Sequence, residues 1–592
     1  MDRLLLDPHT ALAEGATLAA LLRCCAREVC GPRGQVWAAE PYVMLRVAGT
    51  LLRVRAQGGI ALRFDGPPEW LADGSWLPLT SGLLLDLLQR ELAQQEFAQQ
   101  PLQQRPVRPQ RATRGLDQRV ADQREVVGRG LEGVNDEFAA QVVSSRDAIA
   151  TILSARAEAA EGTARASRPP QDPWLASEQA LVYGHPFHPS PKARTGSQWP
   201  LYAPEAHAEF PLRLLGVRSN LVAGQGDAGA LDRLGTAPPG YALLPAHPWQ
   251  LDLLAGELRE PLGDGRLIDL GYGSRPVIPT SSVRTVYEPG TGTCLKFSLD
   301  VRITNCVRKN AWYELTGAVE LTERLHPVFE RLADAFPGTR WLPEPGYRSA
   351  ALGTRLLEGL GVIVRSGPWA VCGPGVTPIL AAALAAPPYG MAEGDAATAA
   401  GVPDAVRARR AGDPLTWWKA YVERVAPPVL DAYFTHGVVL EPHVQNVLIG
   451  VDDDGLPVEA IFRDLEGTKL VAGRHDLSGL PGRVAEAVTY EAGHGWDRVV
   501  YCLVVNHLAE VAATVAEPAA KPASLLDRLW EVAREVLAGY AGEHGRPVPL
   551  AGLLAGAPLP AKANLAVRWA RSADSAAGYV PVANPLAGYW SW

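Results

Sequence analysis

The hydrophobic pattern of the chain changes twice, near residues 170 and 320, so no single periodic architecture accounts for all of it. Residues 1 to about 165 form a first unit. Ala11–Val29, Leu83–Phe97 and Arg146–Ala166 have helical spacing, and Tyr42–Ala56 alternates apolar and polar residues as a strand pair does. From about 170 to 310 the apolar runs are short and separated by turns: Tyr241–Leu244, Leu267–Leu270, Val283–Tyr287 and Cys294–Ile303. That spacing predicts a largely antiparallel sheet. Beyond 320 the pattern is mainly helical. It is interrupted by two strands, at Val438–Val451 and Glu459–Leu465, joined through Asp452-Asp453-Asp454-Gly455, a hairpin turn. Sheet and helix are therefore segregated along the chain, which is the signature of an α+β protein. The Ala/Pro/Gly-rich stretch 381–415 reads as surface connections.

At 592 residues the chain is too long for one core and suits two to four packed domains. A net charge of −8 argues against a general nucleic-acid binder. The first residues, MDRLLLDPHT, lack the pattern of a secretory signal, and no run approaches the ~20 apolar residues that span a bilayer. The seven cysteines are scattered without a CxxC pair, so neither zinc nor a disulfide framework is implied, and the cytoplasm is expected. An Arg/Gln/Pro-rich stretch, 94–129, reads as a solvated linker and helix face. Only seven of the 56 basic residues are lysines, so where they stand is informative.

Several motifs carry chemistry. Gly224-Gln225-Gly226-Asp227-Ala228-Gly229 fits a dinucleotide fingerprint literally, but Leu221-Val222-Ala223 is a poor strand and Pro238-Pro239-Gly240 cuts the segment short, so it reads as a loop. In Gly184-His185-Pro186-Phe187-His188-Pro189-Ser190-Pro191-Lys192-Ala193-Arg194-Thr195-Gly196, cations sit in a proline-stiffened turn suited to an anion such as a polyphosphate. His247 has an apolar surround and reads as structural. Pro279-Thr280-Ser281-Ser282-Val283-Arg284-Thr285 sets four hydroxyls around an arginine. If 294–303 is one strand, Lys296, Ser298, Asp300 and Arg302 share a face beside that turn and could grip a triphosphate. Finally, Glu441, Asn446 and Asp464 interrupt or end apolar strands in Leu440–Ile449 and Phe462–Gly467. They are hard oxygen donors suited to Mg²⁺. Their arrangement also suggests the Asn/Asp metal pair of protein kinases, which makes a kinase-like phosphotransferase the alternative reading. The absence of a Gly-rich phosphate loop ahead of a Val-Ala-Ile-Lys-type strand weighs against it.

Four motifs in this order, GHPFHPSPKARTG, PTSSVRT, KFSLDVRITNCVR and EPHVQN with RDLEG, resemble the IucA/IucC-type siderophore synthetases that work independently of nonribosomal peptide synthetases (NIS synthetases, the aerobactin synthetase-like family). The resemblance implies a three-part architecture: an N-terminal thumb (1–165), a β-rich fingers region with the ATP-phosphate motifs (166–405) and a helical palm with the metal and carboxylate motifs (406–592). It also implies an AMP-forming acid–amide ligase. Mg·ATP adenylates a carboxylate of citrate, 2-oxoglutarate or a related acid, and an amine, polyamine, amino-alcohol or hydroxylamine then displaces AMP.

Carried over by motif, Ser282, Arg284, Lys296, His185, His188 and Lys192 would bind the ATP phosphates. Thr304, Asn305 and Arg308 would lie near the α-phosphate and the substrate carboxylate, His443 would meet that carboxylate, and Glu441, Asn446 and Asp464 would hold Mg²⁺. Arg308, His443 and Lys296 would be the catalytic residues. No nucleic-acid or membrane partner is implied, and a homodimer would accord with family habit. Pro442 and Val444 replace smaller residues common in the family, and RDLEG lacks a common aromatic and second Asp, which leaves the acyl substrate open. A non-catalytic scaffold is disfavoured because every proposed ligand position is intact.

Overall fold

The computed structural model describes residues 7–99, 135–160, 172–194, 196–303, 306–386, 401–571 and 578–587. It has an α+β architecture with three principal hydrophobic cores.

The first core lies between helices and a five-stranded antiparallel meander running from Val36–Ala39 to Ser75–Pro78. The first helix, Pro8–Cys24, starts where Asp7 accepts from Thr10 N–H and Pro8 fills N1, a position needing no amide donor. Helices Ser81–Gln99 and Asp136–Ala160 complete the unit. The latter starts ten residues before the predicted Arg146, and residues 161–166 of the predicted helix lie outside the described residues, as does most of the Arg-rich 94–129 stretch. Leu565 and Trp569, from near the C-terminus, join this core, and Trp569 packs edge-on to Phe138 at 5.9 Å.

The predicted antiparallel sheet is present. Eight strands run in the order Val222–Gly226, Gly346–Ala350, Val362–Ser366, Thr293–Phe297, Thr285–Glu288, Leu267–Pro279, Phe210–Arg218, Tyr241–Ala246. Two local expectations fail. Val222–Gly226 is a strand: its partner Gly346–Ala350, distant in sequence, supplies hydrogen bonds that local propensity could not foretell. The predicted 294–303 strand breaks at Ser298, whose hydroxyl donates to Glu358 O and accepts from Asn310 N–H at 2.9 Å. Beyond the break Leu299–Ile303 pairs with Cys306–Arg308 in a separate two-stranded sheet, and Asp300 pairs with Arg355. Lys296 and Asp300 therefore do not share a face. His247 is buried among Tyr202, Phe210 and Phe297.

Helix Trp312–Ala335 buries Leu315, Ala318, Thr322, Leu325, Phe329 and Leu332, the i, i+3, i+7 spacing of one face. That face leads into the third and largest core, built around helix Pro414–Phe434 with Trp417, Trp418, Tyr421 and Val425 fully buried. A four-stranded sheet there joins Thr339–Trp341 and Thr377–Leu380 to the hairpin Val447–Val451/Pro457–Phe462. The Asp452–Gly455 turn closes as predicted, with Gly455 at φ +77°. Ala381–Leu384 is a buried helix, not a surface connection: alanines are small enough to pack closely in the core. Among the described residues one helical stretch, Ala492–Ala516, is long and apolar enough to span a bilayer, contrary to expectation. Its apolar window is wholly buried in the protein, which marks a core helix.

Candidate active site

The hydroxyl-rich turn, the Lys296 strand and the 463–467 loop converge on one ion cluster. Lys296, 2% exposed, places Nζ 2.8 Å from Asp464, 2.7 Å from Glu466 and 3.7 Å from Glu344. Arg284 donates to Asn310 Oδ1 at 2.6 Å and to Glu466 at 2.8 Å. Arg365 pairs with Glu344 and lies 3.2 Å from Asp464. Burial pushes the Lys296 ammonium down, but Asp464, Glu344 and Glu466 outweigh it and hold the group above its usual range. Burial likewise works against the carboxylates. Lys296 and Arg365 nevertheless hold Asp464 well below the carboxylate range, and Lys296 and Arg284 bring Glu466 down to about 2. Three cations thus face three carboxylates. The unopposed cationic cleft that Lys296 and Arg284 suggest is, in the free protein, internally neutralised.

The backbone is strained here. Val283 has φ +66° and Asp464 φ +71°, and a β-branched residue at positive φ is an outlier that the surrounding structure must impose. Ser282 Oγ accepts from Thr285 N–H at 3.1 Å, closing the turn.

Asn446 and Asp464 flank the open end of the Val447/Phe462 hairpin, where Arg463 N–H donates to Asn446 O at 3.0 Å. Asn446 is 5% exposed and its Nδ2 has no partner, while the Asp464 side chain is 34% exposed. The Asn446 carboxamide oxygen and the reachable Asp464 carboxylate are oxygen donors of the kind that fits Mg²⁺, which takes one or two protein carboxylates and completes its shell with phosphate and water. Glu441 stands differently: its carboxylate pairs with Arg498 at 2.6 Å. Among the described residues no three His, Cys, Asp or Glu side chains form a protein-only metal cage.

His443 carries a ring that burial brings down to about 4, so it is neutral at pH 7 and offers hydrogen bonds, not charge. His185 is brought down to about 3 by burial. Its Nδ1 accepts from Phe187 N–H, and its Nε2 lies 2.7 Å from the Asn506 carboxamide. His188 is 2% exposed and accepts from Ser190 N–H. Lys192 is buried against Glu205. The stiff loop therefore invests its Lys192 charge in an internal ion pair. Thr304 and Asn305 lie outside the described residues, as does the side chain of Arg308.

Sequence reasoning missed Asn310, Glu344, Arg365 and Glu466 as members of the cluster. Arg365 carried a signal, a charge inside the apolar strand Val362–Ser366, the same kind that Lys296 carries in Thr293–Phe297.

Two family descriptions match the chain: IucA / IucC family over residues 173–386, and Ferric iron reductase FhuF-like transporter over residues 415–577. The second stretch holds one cysteine, Cys502, whose thiol burial pushes up to about 12. The rhizobactin siderophore biosynthesis protein RhbC of Rhizobium meliloti is 29% identical over 79% of this chain and 86% of its own length. The L-2,3-diaminopropanoate–citrate ligase of Staphylococcus aureus is 30% identical over 59% of this chain and 63% of its own, under two thirds of that protein. The solved structure of ATP-bound aerobactin synthetase IucA from Klebsiella pneumoniae superimposes with a TM-score of 0.75 at 23% identity, over 97% of this chain and 99% of that one. The order of the four motifs agrees with the match of residues 173–386 to the IucA / IucC family, and the whole described fold is like that of the solved synthetase.

Proposed function

We propose that the chain is an AMP-forming carboxylate–amine ligase of siderophore biosynthesis that uses Mg·ATP. The observation that carries this reading is the Lys296–Asp464–Glu466–Arg284 cluster, in which phosphate-type cations and metal-type carboxylates neutralise each other at the end of a half-open hairpin. Mg²⁺ bound by Asp464 and Asn446 would supply charge neutralisation at the phosphates. Lys296 and Arg284, released from the carboxylates that turn to the metal, would hold phosphate oxygens, with Ser282 donating from the turn. Such an exchange keeps each charge paired before and after binding, so no buried ion is left alone.

A carboxylate oxygen attacks the α-phosphorus and the bond to pyrophosphate breaks. The amine nitrogen then attacks the acyl carbon, AMP leaves, and the amine proton is lost. Both partners of the first step are anionic, so alignment and cations supply the catalysis. Arg308 and Thr304 are assigned to the α-phosphate and carboxylate, Asn305 to the nucleotide and His443, as a neutral hydrogen-bonding ring, to the carboxylate. His185, His188 and Lys192 act behind the phosphate site. Glu441 would reach a metal only by leaving Arg498.

The thumb, fingers and palm correspond to 1–165, 166–405 and 406–592 in this reading. A citrate-like acid is the proposed acyl substrate, because relatives carry names such as citrate ligase; a polyamine, amino-alcohol or hydroxylamine is the acceptor. A cytoplasmic homodimer completes the proposal. Incubation with ATP, Mg²⁺, citrate and a panel of diamines should release AMP and pyrophosphate. ADP as the product would favour the kinase-like alternative instead.

A further inference from the structure

Glu178 stands in the short helix Pro173–Gln179, which no sequence motif marked. Asp172 caps that helix by accepting from the Trp174 and Leu175 amides, and Ser177 Oγ accepts from Leu380 N–H at 2.9 Å, so the helix is tied to the strand Thr377–Leu380. The Glu178 side chain is 0% exposed. Its two oxygens receive five donors: Trp174 Nε1 at 2.9 Å, Ser281 N–H at 3.2 Å, Ser281 Oγ–H at 2.8 Å, and the two terminal nitrogens of Arg463, the longer contact at 3.1 Å. Arg463 also turns back on its own hairpin, with Nε and Nη2 donating to Gln445 O at 3.0 and 2.8 Å. Gln445 Nε2 closes a ring by donating to Ser281 O at 3.3 Å.

Three ring members each precede a residue assigned to the nucleotide or metal: Ser281 before Ser282, Gln445 before Asn446, Arg463 before Asp464. A carboxylate offers about four lone-pair positions, so five donors saturate it and leave the ring one arrangement. A planar arginine fork against a planar carboxylate fixes orientation as well as distance. We propose that Glu178 is a positioning residue that locks the Ser281–Ser282 turn to the Asn446/Asp464 hairpin, so that both halves of the phosphate and metal site keep one relative geometry. What the ring positions rests on the ligase reading; the ring itself does not. Burial alone would raise the Glu178 carboxyl, but Arg463 and Ser281 outweigh it and keep the group ionised.

Glu178→Gln preserves shape and removes the charge that holds the arginine fork. In the full chain, carboxylate-dependent ATP–pyrophosphate exchange should lose about 10- to 100-fold in kcat, as expected for a misplacement of about 1 Å. KM for the carboxylate should stay within about twofold. Arg463→Gln should behave alike, and the double variant should be no worse than about twofold below the poorer single. Amide exchange should accelerate together at 280–285 and 463–467. Wild-type kinetics in folded Glu178→Gln, multiplicative losses in the double variant, or loosening of only one segment would each overturn the proposal. Should Glu178→Gln not fold, Ser281→Ala removes one donor and leaves the ion pair. A fall of about threefold or more in kcat is then expected, and an unchanged kcat contradicts the lock. If wild-type enzyme shows no exchange reaction, the ligase reading fails and amide exchange alone decides the ring.

Discussion

Lys192 and Lys296 look alike in the sequence, each a rare lysine in a motif rich in phosphate-binding residue types, yet the fold uses them differently. Lys192 is buried against Glu205, itself 1% exposed, with Arg194 behind it at 3.8 Å. Lys296 is as deeply buried, and so is its more distant partner Glu344, but its two nearer partners are not: the Asp464 and Glu466 side chains are 34% and 23% exposed. A closed pair can only hold the structure together, whereas a pair with one reachable member can exchange partners with an incoming phosphate and metal. Burial of the cation does not separate the two roles; access to its counter-ion does.

Lys296→Ala should break that contrast most severely. Exchange activity should fall at least about 100-fold per folded molecule, and stability should drop by about 3–5 kcal/mol because carboxylates are left facing one another. Denaturant melts and exchange assays normalised to folded protein check both. Lys192→Met should cost a similar ~3–5 kcal/mol while activity per folded molecule stays within about tenfold. The double variant Lys192→Met/Glu205→Leu should recover most of that stability, and a 100-fold activity loss there would place Lys192 among the phosphate ligands.

The histidines extend the comparison to pH. Burial holds His185 and His247 down to about 3 and His443 and His507 down to about 4. Below about pH 6.5 the unfolded chain binds protons that the folded chain refuses, so stability is full above 6.5 and falls as pH drops toward the folded values. Each such histidine should contribute roughly 1 kcal/mol per pH unit in that window. Melting curves between pH 7.5 and 5.5 measure the slope, and His247→Phe should reduce it. Lys419, exposed and 3.9 Å from Glu423, provides the smallest effect: Lys419→Ala should change stability by under about 0.5 kcal/mol and leave activity intact.

The hairpin of Thr285–Glu288 and Thr293–Phe297 in the eight-stranded sheet was legible because its turn is local, and so was the Asp452–Gly455 hairpin, whereas Gly346–Ala350 and Val362–Ser366 join that sheet from a stretch that reads as mainly helical. The strand Val222–Gly226 was not, since it owes its existence to a partner 124 residues away, Gly346–Ala350. The same holds at the site. Lys296, Arg284 and Asp464 announced themselves as charges or hydroxyl neighbours in apolar or turn contexts. Glu344 and Asn310 lie in ordinary loops and gain meaning only from contacts to Arg365 and Arg284 across the fold. Residue type could nominate Lys192 as a phosphate ligand, but Glu205 is what claims it, and nothing near Lys192 in sequence foretells that partner.

The most direct measurement is labelled-pyrophosphate incorporation into ATP by the wild-type protein, with and without citrate-like acids and Mg²⁺, beside Lys296→Ala and Lys192→Met. Incorporation that requires both acid and Mg²⁺, vanishes in Lys296→Ala and persists in Lys192→Met is the predicted result. Incorporation independent of any carboxylate, or lost equally in both variants, would contradict it.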